Sequence, residues 1–236
     1  MTTSIKPYDI VIPVYNKYDL FKRCVNGLMN TIISPEFAKR LIVVDDNSSE
    51  WSSKNYQDYK LLLDTNNFFK EHIYIRNGNH QWFTRTVNRG LKLTKERYIF
   101  IINSDCVFQH SWLEEMFNLM EDTSAALVGS DYRAYHNERY RQLNKDEYVT
   151  GHCWLLDRTK TINSIGLFEE ESEHTVHYGS DSDYCYRLHD INYPVILSYK
   201  SMVLHDGTHP SAREITSNDN ELNERSKQDF LNNKLD

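Results

Sequence analysis

The chain has 236 residues, with 27 basic side chains against 34 acidic ones and a formal net charge of -7 at pH 7. This balance argues against binding to nucleic acid or to an anionic membrane surface, because both need clustered positive charge. An anionic ligand would have to be attracted by something else, such as a divalent metal held by carboxylates. The length suits one domain, which we expect to cover residues 1–236.

The four cysteines, Cys24, Cys106, Cys153 and Cys185, are far apart in the sequence and form no CxxC pair. They are typical of buried, reduced thiols, so we expect a reducing compartment. No stretch approaches the roughly 18 apolar residues of a membrane span, and the first residues lack the apolar core of a secretion signal. We therefore expect a cytoplasmic protein without a membrane span.

The first half of the chain alternates apolar strands with amphipathic helices. Tyr8 to Val14 and Arg40 to Asp46 are apolar runs, and the segment from Leu20 to Ile32 between them places its apolar residues on one helical face. A strand, a helix and a strand in this order predict a right-handed parallel unit. The next predicted elements are a helix around Tyr56 to Leu63, a strand from His72 to Arg76 and a helix from Trp82 to Leu93.

The second half begins with a strand from Tyr98 to Ile102, whose five residues are apolar or aromatic without alternation. The later predicted helices run from Trp112 to Met120, Thr161 to Ile165 and Gly179 to Asp190, and the later predicted strands from Ala125 to Ser130, Tyr148 to Asp157 and Val195 to Leu204. The polar segment from Asp131 to Lys145 favours a loop or a β-arm. Residues 211–236 form a polar tail.

Three polar residues, Asn103, Ser104 and Asp105, directly follow the central strand. In open α/β sheets, ligands bind just beyond the carboxyl ends of the strands, so an acidic residue at such an end is a candidate to handle a metal or a phosphate. Asp105 is that residue. An aspartate that only turns the chain is the alternative interpretation.

Three other strand or helix ends carry polar groups that can converge with Asp105: Tyr15 with Asn16, Asp45 with Asp46, and Asp181 with Asp183. The motifs along the chain are IPVYN (Ile12–Asn16), VVDDNS (Val43–Ser48), NRG (Asn88–Gly90), INSD (Ile102–Asp105), IGLFEE (Ile165–Glu170) and SDSDYCYR (Ser180–Arg187), followed by His205. Their order resembles the inverting glycosyltransferases of family 2, in particular the rhamnosyltransferase-like members.

The resemblance covers about residues 6–210 and implies the GT-A fold. This fold is of the α/β class, with a mostly parallel central sheet flanked by helices. The nucleotide-binding half would comprise about residues 6–105 and the acceptor half about residues 106–210. The polar tail would follow both halves.

For the nucleotide, the resemblance assigns Pro13, Tyr15 and Asn16 to a pocket in which Tyr15 packs on the base. Asp45 or Asp46 would accept a hydrogen bond from a base N–H, and Asp46 is the preferred candidate. Each of these residues also has an ordinary structural interpretation as part of a turn or a helix cap.

For the metal, the resemblance places Asn103, Ser104 and Asp105 at the D-x-D signature of the family, which holds ribose and a divalent ion on the diphosphate. Ser104 stands where many members have an acid. His205 matches a histidine that completes the metal site in some members, although a histidine in a loop is equally well explained without a ligand. Asp105 and His205 would hold Mn²⁺ or Mg²⁺ beside a nucleotide-diphosphate sugar of the UDP or dTDP type.

The SDSD stretch is predicted to open a helix. Ser180 and Asp183 have the spacing of a capping box, which would commit Asp183 to the helix start and leave Asp181 available as a general base. The resemblance also places the catalytic aspartate at Asp181, with Ser180 where relatives have a glutamate. Arg85 could face the diphosphate, although the surface of a helix explains it equally well.

The leading hypothesis is therefore an enzyme of the hexosyltransferase type that moves a sugar from a nucleotide sugar to a hydroxyl of a glycan or another acceptor. A carbohydrate- or nucleotide-binding domain without activity is the alternative from another class. A sugar-phosphate nucleotidyltransferase is disfavoured, because no Gly-rich phosphate loop bearing Arg or Lys follows the first strand. The sequence determines neither the sugar, nor the linkage, nor the oligomeric state.

Overall fold

A computed structural model describes residues 5–32, 34–66, 68–130, 137–170, 179–201 and 203–206. The strands are β1 (Tyr8–Val14), β2 (Ala38–Asp45), β3 (Glu71–Arg76), β4 (Tyr98–Ile102), β5 (Cys106–Phe108), β6 (Leu127–Ser130), β7 (Tyr140–Gln142), β8 (Cys153–Asp157), β9 (Val195–Ser198) and β10 (Val203–His205). The helices are α1 (Tyr18–Thr31), α2 (Ser53–Asn66), α3 (Trp82–Leu91), α4 (Trp112–Asp122), α5 (Ile162–Ile165) and α6 (Ser180–Asp190). The predicted polar tail, residues 211–236, lies outside the described residues.

In the described part of the chain, a central sheet of eight strands has the order β3-β2-β1-β4-β8-β6-β9-β7. Its first four strands pair in parallel, as the strand-helix-strand pattern predicts. Strand β8 runs antiparallel to both of its neighbours, β4 and β6. Strands β5 and β10 form a separate antiparallel pair beside the sheet. The predicted α/β fold, with a large central sheet flanked by helices, is confirmed.

Alternate residues of the central strands pack into two cores, one on each face of the sheet. Ile10 and Ile12 of β1 belong to the core that also contains the apolar sides of α1 and α4. Val11 belongs to the core that also contains the apolar sides of α3 and α6. Because both faces are covered, these strands are continuous apolar runs, and this explains why the sequence pattern located them correctly.

Two predicted strands are much shorter in the structure than the sequence pattern indicated. The predicted strand from Val195 to Leu204 is wrong as a single element, because β9 ends at Ser198 and β10 begins at Val203. The Ser201 N–H donates to Ser198 Oγ at 3.0 Å, which closes a turn between the two strands. The predicted strand from Tyr148 is confirmed only from Cys153 onward.

The longest described helices, α1 and α2, have 14 residues each. A membrane span needs about 20 consecutive apolar residues. Among the helices of the described ranges, none combines the length and the apolar character that crossing a membrane requires. The cytoplasmic location stays a prediction.

Gly90 of α3 packs directly against β1 and β2. A Cβ atom built there would lie 2.5 Å from Val11 Cγ1 and 3.1 Å from Val44 Cγ2. Because β-branched side chains in buried strands have little freedom to rotate away, we expect Gly90→Ala to lower the free energy of unfolding by about 1–3 kcal/mol, despite the better helix propensity of alanine. Urea unfolding measures this change.

The matched control is Gly78→Ala, because a Cβ atom at Gly78 would meet nothing within 4 Å. We expect this variant to unfold like the wild-type protein. Equal stability of the Gly90→Ala variant would contradict the close packing of α3 on the sheet.

Candidate functional site

The polar residues predicted to converge lie along one edge of the central sheet. Strands β1, β2 and β4 are parallel, so the residues that follow them emerge at the same edge. Strand β8 runs antiparallel to β4, with Cys153 opposite Ile102, so the residues before β8 reach that edge as well. The Asn103 N–H donates to the His152 carbonyl at 2.8 Å and continues the pairing beyond the strands.

The residues after β1 form hydrogen bonds with those after β2. The Asn16 N–H donates to Ser48 Oγ at 2.7 Å, and the amide oxygen of Asn16 accepts from the Glu50 N–H at 3.1 Å. Pro13, which has no N–H, lies beyond the part of β1 that pairs with β4, since that pairing ends at Val11. Asn16 therefore fixes the position of the loop that carries Tyr15.

Asp45 is buried, and neighbouring groups bind its carboxylate. It accepts hydrogen bonds from the Ser48 N–H at 2.8 Å and from the Tyr74 hydroxyl at 2.7 Å, and Arg76 Nη1 lies 3.3 Å from its carboxylate. Burial raises the pKa of Tyr74, and the hydrogen bond to Asp45 adds to that shift. These contacts give Asp45 a structural role between β2 and β3.

Asp46 is bonded to the loop between β3 and α3. Its Oδ1 atom accepts from Asn77 Nδ2 and from the Gln81 N–H, each at 2.7 Å. Its Oδ2 atom lies 2.7 Å from His80 Nδ1. One carboxylate therefore organises the whole loop from Asn77 to Gln81.

His80 was not among the residues predicted for the site. Its ring lies 4.2 Å from that of Tyr15 and 4.2 Å from that of Trp82, measured between centroids. The sequence offered only a weak signal, a histidine and a tryptophan two positions apart after a short strand. These three side chains, Tyr15, His80 and Trp82, are referred to below as the aromatic cluster.

Asp105 and His205 meet at the ends of two different segments. Asp105 Oδ1 lies 3.1 Å from His205 Nε2, and Asn103 Nδ2 lies 3.3 Å from the same nitrogen. The pairing of β10 with β5 places His205 opposite Cys106 and so beside Asp105. Burial acts to lower the pKa of His205, but the charge and the hydrogen bond of Asp105 outweigh burial, so this pKa is raised.

The Asp105–His205 pair fits part of a divalent metal site. Two ligand atoms bound at right angles to one octahedral ion, with bonds of about 2.1 Å, lie about 3 Å apart, which agrees with the carboxylate–imidazole distance. The neighbouring Asn103 Oδ1 is buried and has no hydrogen-bond partner among the described residues. In the same part of the chain no cluster of three or more His, Cys, Asp or Glu side chains has metal-binding geometry, so an ion here would need ligands from diphosphate and water.

His152 packs against His205 on the side of β8. The two rings are stacked, with centroids 5.5 Å apart and planes 19° from parallel. His152 Nε2 lies 2.8 Å from Ser130 Oγ, and His152 Nδ1 lies 3.1 Å from Thr150 Oγ1. A buried imidazole held at both nitrogens thus supports the ring of His205.

The predicted capping box of Ser180 and Asp183 is wrong. Helix α6 is preceded by Gly179, which has a φ of 74° and whose carbonyl accepts from the Asp183 N–H at 2.8 Å. The Asp183 carboxylate instead accepts from Arg187 Nε at 2.9 Å, one turn further along. The left-handed backbone of the glycine, and not a side chain, therefore starts this helix.

Asp181 lies in the first turn of α6 and faces the residues before β8. Its Oδ2 atom accepts from the Gly151 N–H at 3.3 Å, and its Oδ1 atom accepts from the Ser182 N–H at 2.9 Å. Burial raises the pKa of Asp181, and the two backbone N–H groups oppose that shift. Asp181 is held in place without a cationic partner among its described contacts.

Arg85 lies on the exposed side of α3. Its Nη2 atom donates to the Glu170 carbonyl at 3.3 Å, next to residues 171–178, which lie outside the described residues. Asn88 of the same helix donates to the Phe168 carbonyl at 2.8 Å and to Glu170 Oε1 at 2.7 Å. The described contacts of Arg85 thus join α3 to the segment before α6, not to Asp105.

A family model described as "Glycosyl transferase family 2" matches residues 9–179. A poly(ribitol-phosphate) beta-glucosyltransferase of Bacillus spizizenii is 25% identical over 224 residues, which cover 86% of this chain and 33% of that protein. Glycosyltransferase AglE of Haloferax volcanii is 20% identical over 225 residues, covering 89% of this chain and 69% of that protein. The chain thus spans about one third of the Bacillus relative.

Two solved structures share the fold. The S. aureus TarS fragment 1–349 superposes with a TM-score of 0.65 at 12% identity, covering 84% of this chain and 59% of that one. The mannosyltransferase PcManGT of Pyrobaculum calidifontis, solved with GDP-Man and Mn²⁺, gives a TM-score of 0.69 at 12% identity, covering 88% and 60%. These likenesses confirm the GT-A fold, and because the family model covers well over half of the sequence, the chain belongs to glycosyl transferase family 2.

Proposed function

We propose that this protein transfers a sugar from a nucleotide-diphosphate sugar to a hydroxyl of a glycan or another acceptor, with inversion at the sugar carbon. The proposal rests on the contacts made by the residues just before β8. The Gly151 N–H donates to Asp181, and the adjacent His152 stacks on His205 beside Asp105. Two consecutive residues therefore hold a partly buried carboxylate at a fixed position relative to a candidate metal pair.

In this proposal, Asp105 and His205 hold Mn²⁺ or Mg²⁺. When bound, the ion would supply positive charge that stabilises the departing diphosphate. The chain itself is acidic, with 34 acidic against 27 basic residues, so such a charge would compensate for the lack of a basic surface. PcManGT, which shares the fold, was solved with GDP-Man and Mn²⁺, and this supports a metal and a nucleotide sugar.

The nucleotide would lie along the edge formed by β1, β2 and β4. We propose that Tyr15 packs on the base, with Pro13, Asn16, Asp45 and Asp46 shaping the pocket around it. Asn103 and Ser104, between the pocket and Asp105, would then lie near the ribose. We propose a donor of the UDP or dTDP type. Arg85, which lies next to Glu170, would face the diphosphate of this donor.

Asp181 would act as the general base. Its carboxylate takes the proton of the acceptor hydroxyl as the acceptor oxygen forms a bond to the sugar carbon. The bond from that carbon to the diphosphate oxygen breaks, and the diphosphate leaves with the electron pair. The hydrogen bonds from Gly151 and Ser182 keep the Asp181 side chain oriented for this role.

A binding domain without catalysis is the second candidate. Ser104 replaces an acid of the expected metal signature, and Ser180 is buried where relatives carry a glutamate. Both substitutions remove a charge from the proposed site. Hydrolysis of nucleotide sugars separates the two functions, because a binding domain would be stabilised by a donor without consuming it. A panel of UDP-, dTDP- and GDP-sugars, with and without Mn²⁺, provides this test.

We expect Asp181→Asn to reduce single-turnover transfer by roughly 100-fold to 10,000-fold, the usual effect of removing a general base. Asparagine has nearly the same shape, so binding of the donor and of Mn²⁺ should be retained. Asp183→Asn is the matched control in the same helical turn. It removes only a partly exposed ion pair with Arg187, so the transfer rate should stay within about threefold and the free energy of unfolding should fall by less than about 1 kcal/mol. Normal transfer by Asp181→Asn would refute the assignment of the base.

The raised pKa of Asp181 predicts the pH dependence of transfer. The base works only when ionised, so the rate falls as the pH falls through the pKa of Asp181. Because burial raises that pKa, the loss should begin at a higher pH than for an ordinary aspartate, whose pKa is about 3.9. The pH profile of the single-turnover rate measures this loss of activity at low pH. If the Asp181→Asn variant shows the same loss, another group causes it.

Nucleoside diphosphate binding should depend on the metal through Asp105 and His205. In calorimetric titrations with UDP, dTDP and GDP, we expect binding with Mn²⁺ to be at least about tenfold tighter than binding in EDTA. Asp105→Ala should remove this difference, and His205→Ala should reduce it. The control is the exposed Asp64–His72 pair, which has a similar separation of 3.3 Å outside the site. Alanine at either control position should change nothing, whereas equal affinity in Mn²⁺ and EDTA would exclude the metal site.

A further inference from the structure

His80 is a partly exposed polar group next to the proposed base pocket. Its side chain is 27% exposed, whereas the side chain of Asp46 beneath it is 4% exposed. The imidazole lies between the rings of Tyr15 and Trp82, in contact with both. A planar ligand that packs on Tyr15 therefore meets the histidine ring before it meets the carboxylate.

Asp46 has little capacity left for a ligand. Asn77 and Gln81 both donate to its Oδ1 atom, and His80 occupies its Oδ2 atom. A base N–H could reach this carboxylate only after His80 had moved away. The imidazole already lies against Tyr15 and needs no rearrangement to contact a base there, so it is the better candidate for that contact.

The contact with Asp46 also determines what His80 offers to a ligand. Because a carboxylate without a proton only accepts hydrogen bonds, we assign the proton of this contact to His80 Nδ1. In the neutral ring, Nε2 is then an acceptor. Among the described residues nothing donates to this atom, so it can accept a hydrogen bond from a ligand.

The backbone at Trp82 is a second observation that points to a ligand site. Its φ is 65°, in the left-handed region that large side chains rarely adopt. Strain of this kind persists only where the surrounding structure imposes it, and it is concentrated at binding and active sites. Here it keeps the indole ring against His80.

We propose that His80 reads the nucleobase of the donor and that Asp46 is a positioning residue that holds the imidazole. This inference rests on the proposed nucleotide-sugar donor. The base packs against the aromatic cluster, and a ring N–H of its pairing edge donates to His80 Nε2. Uracil, thymine and guanine carry such an N–H, whereas cytosine and adenine carry an acceptor nitrogen there. The site should therefore prefer UDP, dTDP and GDP to CDP and ADP.

The test is calorimetric titration with UDP, dTDP, GDP, CDP, ADP and inorganic pyrophosphate, each with Mn²⁺ at the same pH. Pyrophosphate lacks a base and reports on the metal pair alone. For the preferred diphosphates, we expect His80→Ala to weaken binding by about tenfold, the usual effect of losing a hydrogen bond and a ring contact. The affinities for CDP and ADP should fall less, because these bases lose only the ring contact, and the affinity for pyrophosphate should not change.

His80→Asn separates the reading of the base from the anchoring of the loop. Its amide can donate to Asp46 as Nδ1 does, but it has no atom in the place of Nε2. We expect this variant to melt at the wild-type temperature and to discriminate between bases as poorly as His80→Ala. His72→Ala, which removes a histidine from an exposed ion pair with Asp64, should leave every affinity unchanged.

Each contrary result overturns a different statement. Tighter nucleotide binding by His80→Ala would show that the imidazole blocks the place of the base and must leave it. Unchanged discrimination by both His80 variants would show that another group reads the base. If the wild-type protein binds pyrophosphate with Mn²⁺ and binds no nucleoside diphosphate more tightly than pyrophosphate, base recognition is refuted and the metal pair is retained. If it binds neither, the proposed function fails, and the role of His80 fails with it.

Discussion

The pairing of β4 with β8 is the interaction on which the candidate site depends. It is extended by the 2.8 Å hydrogen bond from the Asn103 N–H to the His152 carbonyl, which joins the end of one strand to the approach of the other. On the β4 side of this bond stands Asp105, and on the β8 side stands Gly151, whose N–H holds Asp181. Antiparallel pairing thus brings a carboxylate from the second half of the chain to the parallel edge built by the first half.

The sequence predicted the parts of this arrangement that depend on buried strands. The runs that became β1, β2 and β4 are apolar on both faces, so their ends, with Asp46 and Asp105, were located correctly. The contacts that depend on tertiary structure were not predictable in the same way. His80 joins the site through a carboxylate 34 positions away, and the start of α6 depends on the positive φ of Gly179, which no side-chain pattern reveals. The prediction of a capping box was wrong for this reason. The spacing of Ser180 and Asp183 fits the motif, but the helix begins at Ser180, so Ser180 does not occupy the N-cap position.

The buried carboxylates Asp9 and Asp157 and the partly buried Asp181 differ in the partners that compensate their charge. This difference distinguishes structural carboxylates from the proposed catalytic one. Asp9 accepts from Arg40 and from two backbone N–H groups, and Asp157 accepts from Arg97 and Thr159. The partners of Asp157 favour its ionised form, so its pKa is lowered although burial acts to raise it. Asp181 has two backbone donors and no described cation, and its pKa is raised. A carboxylate that is oriented but incompletely neutralised is suited to accept a proton.

Some residues with positive φ lie along the same edge of the sheet. Asn16 and Asn47 lie in the loops after β1 and β2, and Trp82 is the first residue of α3, directly after the loop that follows β3. Asparagine tolerates this conformation, so the first two need little support, but tryptophan does not. The residues just before Trp82 are the ones that Asp46 binds, through three hydrogen bonds of 2.7 Å. One buried carboxylate therefore offsets the strain of an unfavourable backbone, and by doing so it holds an aromatic ring and an imidazole where a base would pack.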